Sequence, residues 1–310
     1  MKNNLINFLI TFLLISMFIF IFVYSKNTKE AVLYAENIWL NNLIPSIFPS
    51  LIIVSLLIKY NIVNKINNLF KFVICKIYNI QEEASFVVVL SMLTGFPTGS
   101  KYIKDLLDNG QISTDDANHL ITFTSYSNPI FVVTFIGEIL LNNKRIGIMI
   151  YFIHVLSGLI IGLFYKKDKR TYKEKSTNKI VNYDTFINNL INVIKESFNI
   201  LLNMLGIIVF FFIIISIIDI LLPNTLMTKI IEALLEITIG ITNISRSNIN
   251  LRLKAALIGM ILSFNGLCVH FQTKSIIEGS GIKYKNYLIA RVLHSILCFV
   301  LLYFLFYIFI

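Results

Sequence analysis

Hydrophobic residues run through this chain in long blocks that a few polar clusters interrupt. Residues 5–24 form one apolar run of the length a helix needs to cross a bilayer, about 20 residues. Runs at 38–57, 120–141, 146–165, 200–222 and 287–310 predict further spans. In the run at 38–57, Pro45 and Pro49 bend the helix or delay its start. At 61–80 and 227–241 the apolar residues share one helical face. Lys65, Lys71 and Lys76, or Glu232 and Glu236, take the other, as in a helix lying along the membrane interface. Residues 101–119 read as a polar helix, a turn at Asp108-Asn109-Gly110, and a new helix start at Ser113-Thr114-Asp115-Asp116.

Two short apolar arms, 84–93 and 254–262, stop at breaks. The first break is Thr94-Gly95-Phe96-Pro97-Thr98-Gly99-Ser100 and the second is Ser263-Phe264-Asn265-Gly266. A third cluster, Ser125-Tyr126-Ser127-Asn128-Pro129, interrupts 120–141. Hydrocarbon cannot hydrogen-bond bare backbone, so such sequence belongs at membrane depth only where protein or a wet cavity surrounds it. Arms of about 10–12 residues rise about 15–18 Å, half the hydrocarbon thickness, and predict re-entrant hairpins. The halves align at one offset: Ser91-Met92-Leu93-Thr94-Gly95-Phe96 with Gly259-Met260-Ile261-Leu262-Ser263-Phe264, and Leu120-Ile121-Thr122 with Leu288-Ile289-Ala290. The full crossings at 38–57, 120–141 and 146–165 are odd in number, so the second half is expected to be inverted. The expected fold is all-α: a polytopic membrane helix bundle with inverted structural repeats and two re-entrant hairpins, the architecture of many secondary transporters.

Composition agrees with this pattern. The chain is 56% hydrophobic and 14% charged, and its mean hydropathy is +0.76. Soluble domains carry about 25% charged residues, so the chain is expected to be an integral membrane protein. The net charge of +10 comes without a dense basic and aromatic patch. It implies attraction to the membrane surface and a topology signal, and argues against nucleic acid as a partner. The basic loop 166–182 is expected in the cytoplasm, with both termini. That orientation places Arg246, Arg252 and Lys254 on the far side, against the positive-inside rule. Residues 5–24 exceed a signal-peptide core and lack a small-residue cleavage site, so they read as a retained helix.

Cys75, Cys268 and Cys298 are far apart, with no C-x-x-C, and the four histidines show no metal-ligand spacing. No cofactor or metal is expected. No catalytic motif is present, so the expectation is a protein that is not an enzyme.

Candidate function therefore rests on the breaks. Gly95 and Gly99 permit close backbone approach to a ligand, Pro97 fixes a turn, and Thr94, Thr98 and Ser100 offer hydroxyls. The start of the returning arm offers N–H groups to an anion. Around Ser127 and Asn128, Pro129 frees carbonyls for a cation or a substrate donor. Ser263, Asn265 and Gly266 form the counterpart, followed by His270 and Gln272. His270 is a candidate for proton coupling. Arg291, with His294 after it, either binds a carboxylate through two parallel hydrogen bonds or snorkels to the interface. Lys101 and Glu138 read as solvated helix ends, and His154 as a packing donor. The expected partners are a small anionic solute, membrane lipid and a coupling ion, H+ or Na+, with a homo-oligomer left open.

Three blocks carry a likeness to a known family: Leu93-Thr94-Gly95-Phe96-Pro97-Thr98-Gly99-Ser100-Lys101, Gly110-Gln111-Ile112-Ser113 and Ser127-Asn128-Pro129-Ile130-Phe131. His154 with Gly158 and Gly162, and Phe264-Asn265-Gly266 through His270 and Gln272, add to it. The chain resembles the YlbJ-type sporulation integral membrane proteins, within the wider group that carries the nucleoside-recognition Gate domain of concentrative nucleoside transporters. The resemblance implies a role in endospore formation: moving dipicolinic acid from the mother cell across the outer forespore membrane. It implies a location in that membrane or the cell membrane. It also leaves open transport of a nucleoside or an ion, or a non-transporting part in spore assembly. It divides the chain into an N-terminal helix and connector (1–37), a first Gate-like repeat (38–145), a linking helix with the basic loop (146–199) and a second Gate-like repeat (200–310). Asn265 stands where the resemblance leads one to expect a glycine.

Overall fold

The computed structural model describes residues 2–60, 62, 71–166, 185–223 and 225–309. The middle of the interfacial stretch 61–80 and nearly all of the basic loop 166–182 lie outside the described residues. All regular structure described is helical. The α-helices are α1 (Lys2–Val23), α2 (Ser25–Ile38), α3 (Ile44–Lys59), α4 (Lys71–Tyr78), α5 (Glu82–Thr94), α6 (Thr98–Asp108), α7 (Thr114–Leu120), α8 (Lys144–Phe164), α9 (Phe186–Leu221), α10 (Leu226–Leu235), α11 (Ile237–Arg246), α12 (Leu251–Phe264), α13 (Gly266–Ile277) and α14 (Tyr284–Phe309). Two π-helical segments, Trp39–Leu43 and Phe131–Leu140, join them.

Among the described residues, four helical stretches are long and apolar enough to cross a membrane: Lys144–Phe164, Phe186–Leu221, Leu251–Ile277 and Tyr284–Tyr307. A fifth arises if the pair Ile10–Val23 and Ser25–Asn41, bent by 101°, counts as one. The protein is a multi-pass integral membrane protein.

Several expected spans change shape. Residues 120–141 are not one helix. α7 ends at Leu120, 124–128 carry no regular structure, and only a short helical segment, 129–140, follows. Pro129 disfavours a helical conformation at Asn128. Residues 38–57 stay helical throughout: the π-helical Trp39–Leu43 runs straight into α3, which holds Pro49 inside it. The run at 200–222 belongs to a 36-residue helix that begins at Phe186, where Thr185 accepts a hydrogen bond from Asn188 N. At 1.5 Å per residue α9 is about 54 Å long, well beyond a hydrocarbon core. The amphipathic stretch 227–241 divides at Glu236, whose extended backbone separates α10 from α11.

The first break makes a helical hairpin: α5 and α6 pack on each other across Gly95–Pro97. The second does not. Leu251–Ile277 is one apolar stretch of 27 residues, interrupted at Asn265 and not turned back on itself. α12 packs along α14 and α8, whereas α13 leans on α6, α9 and α10. Two consecutive residues of positive φ, Asn265 at 78° and Gly266 at 56°, redirect the helix without supplying the loop a hairpin needs. The expected pair of hairpins is thus one hairpin and one broken span.

Candidate functional site: where the chain breaks meet

Gly95 ends α5 at φ +80°, a conformation open to glycine, and its N–H donates to Ser91 O. The next bond, Phe96-Pro97, is cis. Phe96 N–H donates to Tyr126 O at 2.6 Å, tying the hairpin turn to the irregular segment 124–128. Both first-break glycines are pressed onto that segment. A Cβ on Gly95 would lie 2.6 Å from Asn128 N, and one on Gly99 would lie 2.6 Å from Thr124 O. The close approach expected for a ligand is made here by the chain itself. The amides expected to await an anion are also engaged: Thr98 N–H donates to Gly95 O and Ser100 N–H to Pro97 O. The hydroxyls of Thr94 and Thr98 lie 2.6 Å apart, and Thr98 donates to Gly95 O.

The segment 124–128 has left the helical ladder, so its carbonyls and amides need other partners. α8 and α14 supply them. Ser127 N–H donates to His154 Nε2 at 3.0 Å. That leaves the His154 proton on Nδ1, which donates to Ser263 Oγ at 2.8 Å. Arg291 is wholly buried. Its guanidinium donates to Ser125 O at 3.1 Å, to Thr122 O, and to His294 Nδ1 at 2.8 Å. His294 must then carry its proton on Nε2, shared between His154 O at 2.8 Å and Ser157 Oγ at 2.9 Å. Arg291 therefore does not snorkel; it satisfies carbonyls that the break exposes.

The two halves of the chain touch directly. Asn265 Nδ2 donates to Ser125 Oγ at 2.6 Å and to Tyr287 Oη at 3.0 Å. Asparagine tolerates the left-handed backbone better than most residues and adds an amide that glycine lacks. His270 is fixed between Phe264 O and Tyr284 Oη, each at 2.9 Å. Because a carbonyl only accepts, Nε2 donates to Phe264 O and Nδ1 accepts from Tyr284. Lys101 is not a solvated end: it is buried, paired with Asp105 and, at 3.4 Å, with Glu196. Glu138 pairs with Lys144 at 2.7 Å near the surface, as a helix end does.

A cavity of about 470 Å³ opens beside this crossing. Thr94, Ser127, Asn128 and Gln272 line it, together with Phe96, Phe131, Phe135, Asn41 and Glu236. A second cavity of about 560 Å³ is lined by Lys59, Lys101, Lys104, Asp105, Asp108, Glu196 and Glu278. The two share Met204 and Gln272. Of the residues singled out in the sequence, Gly95, Pro97, Thr98, Gly99, Ser100, Ser263, Asn265, Gly266 and Arg291 do not line the first cavity. Those nine build the crossing behind it. Sequence reasoning missed Glu236, Met204 and the aromatic wall. An acidic residue between two amphipathic stretches was the available signal for Glu236. Its carboxylate caps α11 through Ile239 N–H at 3.0 Å.

Buried main-chain breaks, spans linked through them and an open, mostly apolar cavity beside them define a polytopic helical membrane protein. Over 92% of its length the chain is 25% identical to the sporulation integral membrane protein YlbJ of Bacillus subtilis (strain 168), of which it covers 80%. It is a distant homologue of that protein. No family model and no solved structure matches the chain.

Proposed function

We propose that this chain is a sporulation membrane transporter that carries a small polar solute through the cavity beside the crossed breaks. One observation carries the reading: irregular main chain from both halves meets at Ser125 and Asn265 next to a 470 Å³ cavity, which adjoins a charged cavity through Met204 and Gln272. Non-helical backbone inside a membrane protein is characteristic of sites that line a path, and transporter sites are commonly built from discontinuous helices. In this reading the α5–α6 hairpin is re-entrant, its arms rising about 20 and 17 Å. The halves are Gate-like repeats in inverted orientation, each contributing one break.

Dipicolinic acid is the first candidate solute. The support is the YlbJ likeness together with the lining, where Phe96, Phe131 and Phe135 offer faces to a flat ring and Asn41, Asn128 and Gln272 offer donors to its polar edge. Purified protein in lipid vesicles, given labelled dipicolinate or a nucleoside, tests this. Saturable dipicolinate uptake, lost in Asn128→Leu while the variant still inserts, is expected. Nucleoside uptake alone would replace the solute, and uptake of neither above empty vesicles would overturn transport.

A further inference from the structure

We infer that Glu236 is a proton-binding carboxyl inside the transport cavity, taking up a proton when the anionic solute enters and releasing it when the solute leaves. The inference rests on the transport reading for its role, but the site stands on its own geometry. Among the described residues that line the cavity, Glu236 is the one carboxylate, and none is Lys, Arg or His. The residue is buried, 8% exposed, where the extended link between α10 and α11 faces the cavity. One carboxylate oxygen accepts from Ile239 N–H. A cap of this kind needs only a neutral oxygen, which Ser, Thr or Asn supplies equally well. A carboxyl retains a second oxygen that a proton can occupy without disturbing the cap.

The ionisable groups nearest to it add no positive charge. They are the Cys268 thiol from α13 and, one turn back on α10, Glu232, beside which lie Asp219 of α9 and Lys229 of α10; the lysine acts on Glu232 and not on Glu236. From the opposite wall the π-helical segment presents Thr134 and Phe135. Burial holds the Glu236 carboxyl above the ordinary carboxylate range, with the Ile239 N–H, the Thr238 hydroxyl and the N–H groups of Thr238 and Ile237 pulling it part of the way back. An unpaired carboxylate in such surroundings is unfavourable and would repel an arriving anion; a carboxylic acid does neither.

Position links this group to the second break. Gly266, at the second break, packs on the same link. A Cβ there would lie 3.4 Å from Leu235 O and 3.5 Å from Ile237 N. Glu236 thus sits against the point where α12 gives way to α13.

The test uses the full chain in lipid. Infrared difference spectra between acid and alkaline buffer should show the carbonyl stretch of protonated carboxyls in wild type, and Glu236→Gln should lose one component of that band while the Glu232 component remains. If the Gln variant does not insert, Glu236→Asp should shift that component. A band unchanged in either variant would overturn the inference. In vesicles, dipicolinate exchange by wild type should rise toward acid pH, and Glu236→Gln should lose that pH dependence whatever its absolute rate. Retained pH dependence would also overturn it. No exchange by wild type would remove the transport reading, while the infrared band would still decide whether Glu236 binds the proton.

Discussion

Arg291 shows how a residue's type fails to announce its role. A buried guanidinium late in the chain suggests a carboxylate partner or an escape to the interface. It instead donates to Ser125 O, Thr122 O and His294 Nδ1, and the proton positions of two histidines follow from that choice. Removing it should leave carbonyls short of donors, each worth about 1–3 kcal/mol when buried. Arg291→Gln is therefore expected to lower the thermal unfolding midpoint in detergent. Arg291→Lys, which keeps the charge but not the planar fork, should recover only part of the loss. Glu232 offers a separate test. Burial, and secondarily the neighbouring Asp219, raise its carboxyl from 4.5 to about 7. A raised folded-state value means the contribution to stability is complete below about 4.5 and is lost as pH rises through about 7. Unfolding midpoints across that window should fall with pH in wild type. In Glu232→Gln, which can still accept from Asn243, they should fall less.

At the level of elements, the breaks were legible because Gly, Pro, Asn and Ser clustered inside an apolar run seldom carry a helix onward through hydrocarbon. The geometry around them was not. The sequence 120–141 contains enough apolar residues for a span, yet Phe123 and Tyr126 are fully buried in protein, and 124–128 serve as the seat for a hairpin. The start of α9 was hidden because residues 186–199 mix Asn, Lys and Glu with apolar positions and read as loop. Gly99 tests the seat. An alanine methyl there meets Thr124 O at 2.6 Å, a backbone atom that cannot swing aside. Overpacking of this kind costs about 1–3 kcal/mol. Gly99→Ala should lower the unfolding midpoint and speed amide exchange in α6 and 124–128. Gly206→Ala, with nothing within 4 Å of its Cβ position, should be neutral or slightly stabilising.

Across the whole molecule, two cavities of different character share one boundary at Met204 and Gln272. Cys268 lies on the inner cavity and supplies a native reporter. With Cys75 and Cys298 replaced, a small water-soluble thiol reagent should reach Cys268 from the charged cavity. Met204→Trp should slow that reaction. Labelling at an unchanged rate in the Trp variant would mean that the reagent enters by another route.

Sequence alone determined that the chain lives in a membrane, where it is helical and where the helices must fail. Those properties are set by local chemistry: hydrocarbon rewards apolar side chains, and Gly and Pro cannot continue a ladder of hydrogen bonds. Only the tertiary structure decided which broken ends meet, that the second break redirects a helix without folding it back, and that Arg291 serves the backbone. It also decided that Glu236, from an amphipathic stretch, faces the cavity. Each of those outcomes depends on partners more than a hundred residues away or on a turn of two residues, and hydrophobic periodicity carries no record of either.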